Sequence, residues 1–201
     1  MKEITRSTLS HYDREGARFR DATRNHDVSQ NYVALLDAIE AMPPFTLLDF
    51  GCGPGRDLAH FRRLGHEAIG LDGSKALVEL ARADSGCEVL HQDFIELDLP
   101  AAHFDGVFAN ASLFHVPRGA LPEVLLKLNR CLKPRGVLFT SNPRGDDQEG
   151  YSGERYGCYY TLESWRRLVT VAGFEELHHY YRPPGLPIEQ QPWLASVWRK
   201  T

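Results

Sequence analysis

The feature that most constrains this chain is a short apolar run, Thr46–Phe50, that passes directly into three alternating glycines, Gly51, Gly53 and Gly55. Consecutive apolar residues predict a buried strand, and a helical pattern follows the glycines. Glycine suits the turn because the chain reverses sharply there and because a ligand can approach a backbone without a Cβ. Pro54 fits the first turn of the following helix, where its missing N–H group costs nothing. The segment therefore predicts a strand, a tight turn and a helix.

A second apolar run ends in an acid, Asp72, 21 residues after Gly51. In a βαβ unit that binds a nucleoside, an acid at this distance lies at the tip of the second strand and holds the ribose hydroxyls. The glycine spacing differs from the dinucleotide pattern, since Arg56 stands where the third glycine would be. Asp49, just before the turn, would repel a pyrophosphate but suits a ligand that carries a sulfonium and an ammonium group. S-adenosylmethionine is such a ligand.

Residues 48–55 (LDFGCGPG) and 70–74 (GLDGS) resemble motifs I and II of the class I S-adenosylmethionine-dependent methyltransferases, and the resemblance covers roughly residues 30–200. It implies a Rossmann-like, three-layer α/β/α fold with seven strands, the last of them antiparallel. The alternation of strands and helices also favours a doubly wound, mostly parallel sheet. The cofactor-binding residues expected on this basis are Asp49, Gly51, Gly53, Gly55, Arg56, Asp72, Gly73, Asp93, Phe94 and Asn110.

Two of these residues, Asp93 and Phe94, follow a third predicted strand at 87–91. The resemblance implies that Asp93 accepts a hydrogen bond from the adenine amino group while the backbone of Phe94 reads the edge of the ring. Considered alone, Asp93 could equally cap a turn.

The loop 110–116 leaves the carboxyl end of a fourth predicted strand, where open α/β sheets place their chemistry. His115 in this loop is the candidate general base, which is needed only if the nucleophile carries a proton. The alternative is that His115 packs against or caps the next helix. A base at this position predicts a rate that rises with pH through the imidazole range.

Residues 1–30 are predicted to form an N-terminal helical arm or lid, and residues 31–201 the methyltransferase domain. In proteins that the chain resembles, such an arm closes over the cofactor and an aromatic residue covers its methionine end. Tyr12 and Phe19 are candidates for that role, or they pack on the surface. An amphipathic helix is expected from Asn31, ended by Pro43–Pro44.

The segment 142–160 combines charged residues, glycines and four tyrosines after the fifth predicted strand. A loop this long in a compact domain is usually functional or disordered, so it is predicted to form the substrate loop and lid. Its expected substrate-binding residues are Arg144, Arg155, Tyr156 and Tyr160. An arginine fork suits an acidic group on the acceptor. The alternative is a solvated loop whose arginines pair with neighbouring acids.

Charge, cysteine and histidine spacing, and the length of the apolar runs argue against several classes of partner. The net charge is −4 with basic and acidic residues interleaved, which argues against binding to nucleic acid. The four cysteines are widely spaced, and the adjacent His178 and His179 would point to opposite faces of a strand, so no metal site is expected. The chain shows neither a membrane-length apolar run nor a signal peptide, which predicts a cytoplasmic protein, monomeric or weakly dimeric, without a membrane partner.

The sequence predicts a methyltransferase that transfers a methyl group to a small-molecule acceptor, with S-adenosylhomocysteine as the product. Three alternatives stay open at this point: an RNA or protein methyltransferase, a non-catalytic regulator that binds S-adenosylmethionine, and an NAD(P)-dependent reductase. The glycine spacing and Asp49 disfavour the reductase. The loop 110–116 also departs from the Asn- or Asp-Pro-Pro-Tyr motif of enzymes that methylate exocyclic amines of DNA bases.

Overall fold

The computed structural model describes residues 2–201 and contains one large sheet, one hairpin and the helices that cover them. The helices are α1 Lys2–Thr23, α2 Ser29–Leu36, α3 Arg56–Arg63, α4 Lys75–Ser85, α5 Leu121–Cys131 and α6 Leu162–Val171. The strands are β1 Thr46–Phe50, β2 Glu67–Asp72, β3 Glu88–His91, β4 Phe104–Asn110, β5 Leu132–Pro143, β6 Gln148–Ser152, β7 Arg155–Tyr159, β8 Phe174–Arg182 and β9 Trp193–Lys200.

The large sheet has the order β3-β2-β1-β4-β5-β9-β8, with β9 antiparallel to both of its neighbours. Helices α2, α3 and α4 cover one face and α5 and α6 the other, and each face buries its own apolar cluster. The predicted doubly wound, seven-stranded fold with an antiparallel last strand is confirmed. No helix within residues 2–201 is both long and apolar enough to cross a membrane.

Strand order reverses between β1 and β4, and this reversal positions the site. The chain runs from β1 outward to β2 and β3, then returns to place β4 on the other side of β1. Leu47, Leu48 and Asp49 lie beside Gly106, Val107 and Phe108 in parallel register. The loops after β1 and β4 therefore diverge from neighbouring strand ends, which leaves a crevice for a ligand.

Two helix boundaries differ from the sequence-based expectation. Helix α3 begins at Arg56 because Gly55 is its left-handed N-cap (φ 90°), so Pro54 precedes the helix instead of occupying its first turn. Helix α2 ends at Leu36, well before Pro43–Pro44. Just beyond its end, Arg199 of the last strand donates to the carbonyl oxygen of Ala38 at 2.8 Å, a tertiary contact that the local sequence pattern does not include.

The segment 142–160, predicted as a loop, contains the hairpin β6–β7. Gly153, with φ 63°, opens its two-residue turn, and the rings of Tyr151 and Tyr156 contact each other across the strands at 5.4 Å. Tyrosine favours strands, and glycine permits the tight turn. Helix α1 packs against α4 and β7, so this hairpin supports the N-terminal helix.

Candidate active site

Two adjoining pockets lie at the carboxyl ends of β1 and β4 and share Phe19, Gly51, Gly53 and Ala111. The first, here called the lid pocket, lies beneath α1; its further lining includes Thr5, Tyr12, Asp72, Asp93, Phe94, Ser112 and His115. The second, here called the rim pocket, lies between the α1–α2 segment and the β8–β9 loop; its further lining includes Asp27, Arg56, Asp57, Asn110, Ser141, Arg182, Pro183 and Trp193. The two pockets adjoin at the glycine turn and are together called the cleft.

The glycine turn brings bare backbone to the floor of both pockets. Gly51 has a φ of 76°, and a Cβ atom there would lie 2.3 Å from the Cβ of Ser112. Ser112 in turn donates to the carbonyl oxygen of Phe50 at 2.6 Å, which fixes the loop after β4 against the end of β1. A side chain at Gly51 would therefore disrupt the floor, whereas glycine leaves it open to a ligand.

Asp72 presents a buried carboxylate to the lid pocket. Its Oδ2 accepts from the N–H of Gly53 at 3.0 Å and its Oδ1 from the N–H of Ser74 at 2.9 Å. Burial raises the Asp72 pKa to about 6, although these N–H groups oppose the shift. Each carboxylate oxygen can accept more than one hydrogen bond, so the group can still receive the two hydroxyls of a ribose.

Asp49 is a buried acid whose Oδ2 has no hydrogen-bond partner among the residues described. Burial raises its pKa well above the ordinary value, and the charge of Asp57 adds to the shift. Asp49 lines neither pocket, but its charged neighbours Asp72 and Asp57 line one each. A cationic ligand in the cleft would stabilise this carboxylate, and the sulfonium and ammonium groups of S-adenosylmethionine fit that requirement.

Arg56 and Asp57 neutralise each other in the rim pocket. The guanidinium donates to the Asp57 carboxylate at 2.7 and 3.0 Å and to the carbonyl oxygen of Thr23 at 3.0 Å. Tyr32 donates to the same carboxylate at 2.5 Å, and the Asn110 amide lies 3.5 Å from it. This network holds Arg56 and Asn110 in place beside the glycine turn.

Two predicted cofactor residues, Asp93 and Gly73, contact the N-terminal helix, and a third, Phe94, lines the pocket beneath it. Asp93 caps a turn by accepting from the N–H of Ile95 at 3.2 Å and also accepts from Thr5 of α1 at 2.8 Å. Phe94 packs on Phe50 with ring centroids 4.4 Å apart. At Gly73, a Cβ atom would lie 2.6 Å from Leu9, another residue of α1. Asp93 and Phe94 line the lid pocket, and Gly73 allows α1 to approach it.

His115 hydrogen-bonds through both ring nitrogens. Its Nδ1 lies 2.6 Å from the carbonyl oxygen of Tyr156, and its Nε2 lies 3.0 Å from the hydroxyl of Tyr12. A carbonyl oxygen can only accept, so Nδ1 carries the proton and Nε2 accepts from Tyr12. Burial lowers the His115 pKa to about 4. The imidazole is therefore neutral at physiological pH, with its free lone pair directed at Tyr12.

The four residues predicted to bind the acceptor are dispersed, and none lines either pocket. Arg144 donates to the carbonyl oxygens of Ile188 and Gln191 at 2.7 and 2.9 Å. Tyr156 donates to Glu149, and Tyr160 is buried beneath Arg118, whose guanidinium lies 5.0 Å from the ring centroid. Arg155 lies beside the Tyr12 hydroxyl, where its charge opposes the rise that burial causes in the Tyr12 pKa.

Two rim-pocket residues, Arg182 and Trp193, have no signal in the sequence. They come from the last two strands and lie opposite each other in the antiparallel pairing of β8 and β9. No motif surrounds either residue, so only the strand pairing brings them to the cleft. Across residues 2–201, no group of three His, Cys, Asp or Glu side chains is arranged to hold a metal ion.

Replacing Asp49 by asparagine is expected to stabilise the ligand-free protein progressively as pH rises. The Asp49 pKa in the folded protein is raised above the ordinary value of 3.8, so the folded state binds the Asp49 proton more tightly than the unfolded state does. This proton binding stabilises the fold fully below pH 3.8, and the stabilisation is lost as pH rises toward the folded pKa. The largest possible slope is about 1.4 kcal/mol per pH unit. Urea unfolding of wild type and Asp49→Asn between about pH 4 and 7 measures the difference, to which histidines common to both proteins do not contribute. Parallel stability curves would contradict the assignment of a neutral, buried Asp49.

Comparison with known proteins adds a family match. A family model described as "Methyltransferase domain" matches residues 48–140. A 24-methylenesterol C-methyltransferase 2 of Oryza sativa subsp. japonica is 31% identical, with 86% of this chain and 52% of the relative covered. A sterol 24-C-methyltransferase of Yarrowia lipolytica is 34% identical, with 92% and 50% covered. The chain thus spans about half the length of these curated relatives.

The solved structure of a 1,6-didemethyltoxoflavin-N1-methyltransferase from Burkholderia thailandensis has a similar fold. It contains 1,6-didemethyltoxoflavin and S-adenosylhomocysteine. The TM-score between the two structures is 0.79 and the sequence identity is 23%. The match covers 100% of this chain and 90% of that chain. At this identity the similarity shows a common fold.

Proposed function

The chain belongs to the class I S-adenosylmethionine-dependent methyltransferases, and on that premise we propose that it transfers a methyl group from S-adenosylmethionine to a small-molecule acceptor. The observation that carries this proposal is the cleft itself, where bare glycine backbone and the Asp72 carboxylate line the lid pocket. The buried Asp49, whose Oδ2 has no hydrogen-bond partner among the described residues, immediately precedes the glycine turn. A small acceptor is also supported by the names of the similar proteins, which refer to a sterol and to 1,6-didemethyltoxoflavin.

When bound, S-adenosylmethionine supplies a methyl group already activated by its sulfonium. The protein must therefore chiefly hold two reactants at attack distance and exclude water, and positioning alone can account for about 7–11 kcal/mol. In the proposed arrangement Asp72 holds the ribose, Asp93 and Phe94 contact the adenine, and the Gly51 turn accommodates the methionine end. Helix α1 closes the lid pocket above them with Tyr12 and Phe19.

The decisive experiment is incubation of the protein with methyl-labelled S-adenosylmethionine and a metabolite extract. We expect label in a small-molecule product with wild type and none with Asp72→Ala, as detected by mass spectrometry. Label in RNA or protein would favour the first alternative. Tight binding of S-adenosylhomocysteine without transfer to any fraction would favour a non-catalytic regulator, and binding of NADH without binding of the methyl donor would refute the proposal.

For an acceptor that carries a proton, we propose that Tyr12 and His115 remove it together. The Tyr12 oxygen takes the proton from the nucleophile as its own proton moves to Nε2 of His115, along the existing 3.0 Å hydrogen bond. The Tyr156 carbonyl, which accepts from Nδ1, holds the ring in the required tautomer. The positive charge lost from the donor thus reappears on the imidazole, so the charge of the site is conserved during transfer.

Replacing His115 by alanine is expected to lower turnover about 10²-fold or more, with affinity for S-adenosylhomocysteine little changed. Because the His115 pKa lies at about 4, wild-type turnover should be level around neutral pH and fall only as pH approaches 4, where the imidazole becomes protonated. The pH range over which turnover changes is therefore expected to lie below the ordinary imidazole range predicted from the sequence. Tyr12→Phe, which keeps the ring, should lower turnover similarly, whereas the exposed His178→Ala serves as the control. An unchanged rate with a lower melting temperature would show that His115 only packs.

A further inference from the structure

We propose that Arg182 forms a carboxylate-binding subsite in the rim pocket, an inference that rests on the proposed methyltransferase function. The carboxylate has two possible sources with the same chemistry: an acidic acceptor, or the methionine end of the donor. Arg182 ends β8 and lines the rim pocket with Trp193, Ser141 and Pro183. It lies outside both methyltransferase motifs and outside the 142–160 segment.

The Arg182 guanidinium is held in place but not saturated. One terminal nitrogen donates to the carbonyl oxygen of Asp27 at 2.6 Å. Its Nε is buried and has no hydrogen-bond partner among the described residues. A buried N–H group without an acceptor is unfavourable, so a ligand oxygen at this position would complete the hydrogen bonding of the fork. Arginine presents several N–H donors in one plane, which matches the two oxygens of a carboxylate.

The charges around Arg182 leave it available to an anion. Arg56 and Asp57, which line the same pocket, pair with each other at two points. Asp27 also lines the pocket. Its carboxylate accepts from the N–H of Ser29 at 2.9 Å, and the charge of Arg182 helps to lower the Asp27 pKa. Within residues 2–201 the hydrogen bond that Arg182 donates goes to a carbonyl oxygen and not to a carboxylate. Asp27 thus offsets part of the charge of Arg182 but accepts no hydrogen bond from it through its carboxylate, so the guanidinium keeps a donor for an added anion.

The other candidate arginines are engaged elsewhere. Arg144 is bonded to two carbonyl oxygens of the β8–β9 loop, and its guanidinium lies 4.6 Å from the ring centroid of Tyr181. It thus supports the loop that carries Pro183 and leads to Trp193. Arg155 lies beside Tyr12. An acidic ligand in the rim pocket would accordingly meet Arg182 rather than the two arginines predicted from the sequence.

The test compares wild type, Arg182→Gln and the control Arg167→Gln, which removes the same charge from an exposed position on α6. Calorimetry first measures S-adenosylhomocysteine and 5′-methylthioadenosine, which lacks the amino acid. Benzoate is then titrated into protein saturated with S-adenosylhomocysteine, with neutral benzamide as the matched probe. Unchanged binding of 5′-methylthioadenosine shows that the Arg182→Gln protein remains folded.

Two results support the subsite and identify the source of the carboxylate. A loss of about tenfold or more in S-adenosylhomocysteine affinity, without a change for 5′-methylthioadenosine, assigns Arg182 to the methionine carboxylate. The second result is that Arg182→Gln leaves the S-adenosylhomocysteine affinity unchanged but abolishes the benzoate binding that wild type shows. This result assigns Arg182 to the carboxylate of an acidic acceptor. If Arg182→Gln alters neither measurement, the subsite is refuted. If wild type fails to bind S-adenosylhomocysteine at all, the proposed function itself fails.

Discussion

Replacement of Asp72 by alanine is expected to lower the affinity for S-adenosylhomocysteine at least about a hundredfold. A hydrogen bond to a charged acceptor contributes about 1.5–3 kcal/mol. Without the Asp72 carboxylate, each of the two ribose hydroxyls would lose one such bond. The substitution also removes the partner of the Gly53 and Ser74 N–H groups, at 3.0 and 2.9 Å, which hold the glycine turn beside α4. Loss of the ligand contacts and loosening of the turn act in the same direction.

Calorimetry with S-adenosylhomocysteine measures this effect, and two variants separate its causes. Asp72→Asn retains one acceptor oxygen and a similar shape, so its loss should be smaller than that of Asp72→Ala. Asp98→Ala removes an exposed acid outside both pockets and should bind like wild type. A change of less than about tenfold in a folded Asp72→Ala protein would be inconsistent with two charge-assisted ribose bonds.

Replacement of Gly55 by alanine is expected to lower the free energy of unfolding by roughly 2–5 kcal/mol. Gly55 has a φ of 90°, and a left-handed conformation costs an L-residue about 1–2 kcal/mol. The new Cβ would lie 2.8 Å from the Cα and 3.1 Å from the Cβ of Ala81, on the packed helix α4. Overpacking of this kind adds about 1–3 kcal/mol, since a helix backbone cannot move aside as a side-chain tip can.

Urea or guanidinium unfolding measures the Gly55→Ala effect against a matched glycine. Gly150 in the hairpin has no positive φ, and nothing lies within 4 Å of a Cβ placed there. Gly150→Ala should therefore be neutral or slightly stabilising, because it restricts the unfolded chain without straining the folded one. Equal stability of the two variants would mean that α4 does not constrain the turn.

Local sequence predicts the structure correctly where a single local requirement decides it. An apolar run followed by alternating glycines and a helical pattern predicts a strand, a turn and a helix, and the structure has β1, the glycine turn and α3 in that order. Ser74 and Thr161, residue types that favour helix N-caps, cap α4 and α6, since both side chains accept hydrogen bonds from N–H groups of the first helical turn. These features depend on residues a few positions apart, and short-range steric and hydrogen-bonding rules predict them.

The tertiary structure decided everything that depends on residues distant in the chain. Tyr12 and His115 are 103 positions apart, and no local pattern indicates that one donates to the other or that burial lowers the His115 pKa. Arg182 and Trp193 reach the cleft only through the antiparallel pairing of β8 and β9. The sequence alone determined the fold class, the glycine turn and the position of Asp72 at the end of β2, because backbone conformation and hydrophobic periodicity are local properties. Tautomers, charge pairing and pocket walls depend on desolvation and on contacts between separate elements, which exist only after the chain has packed.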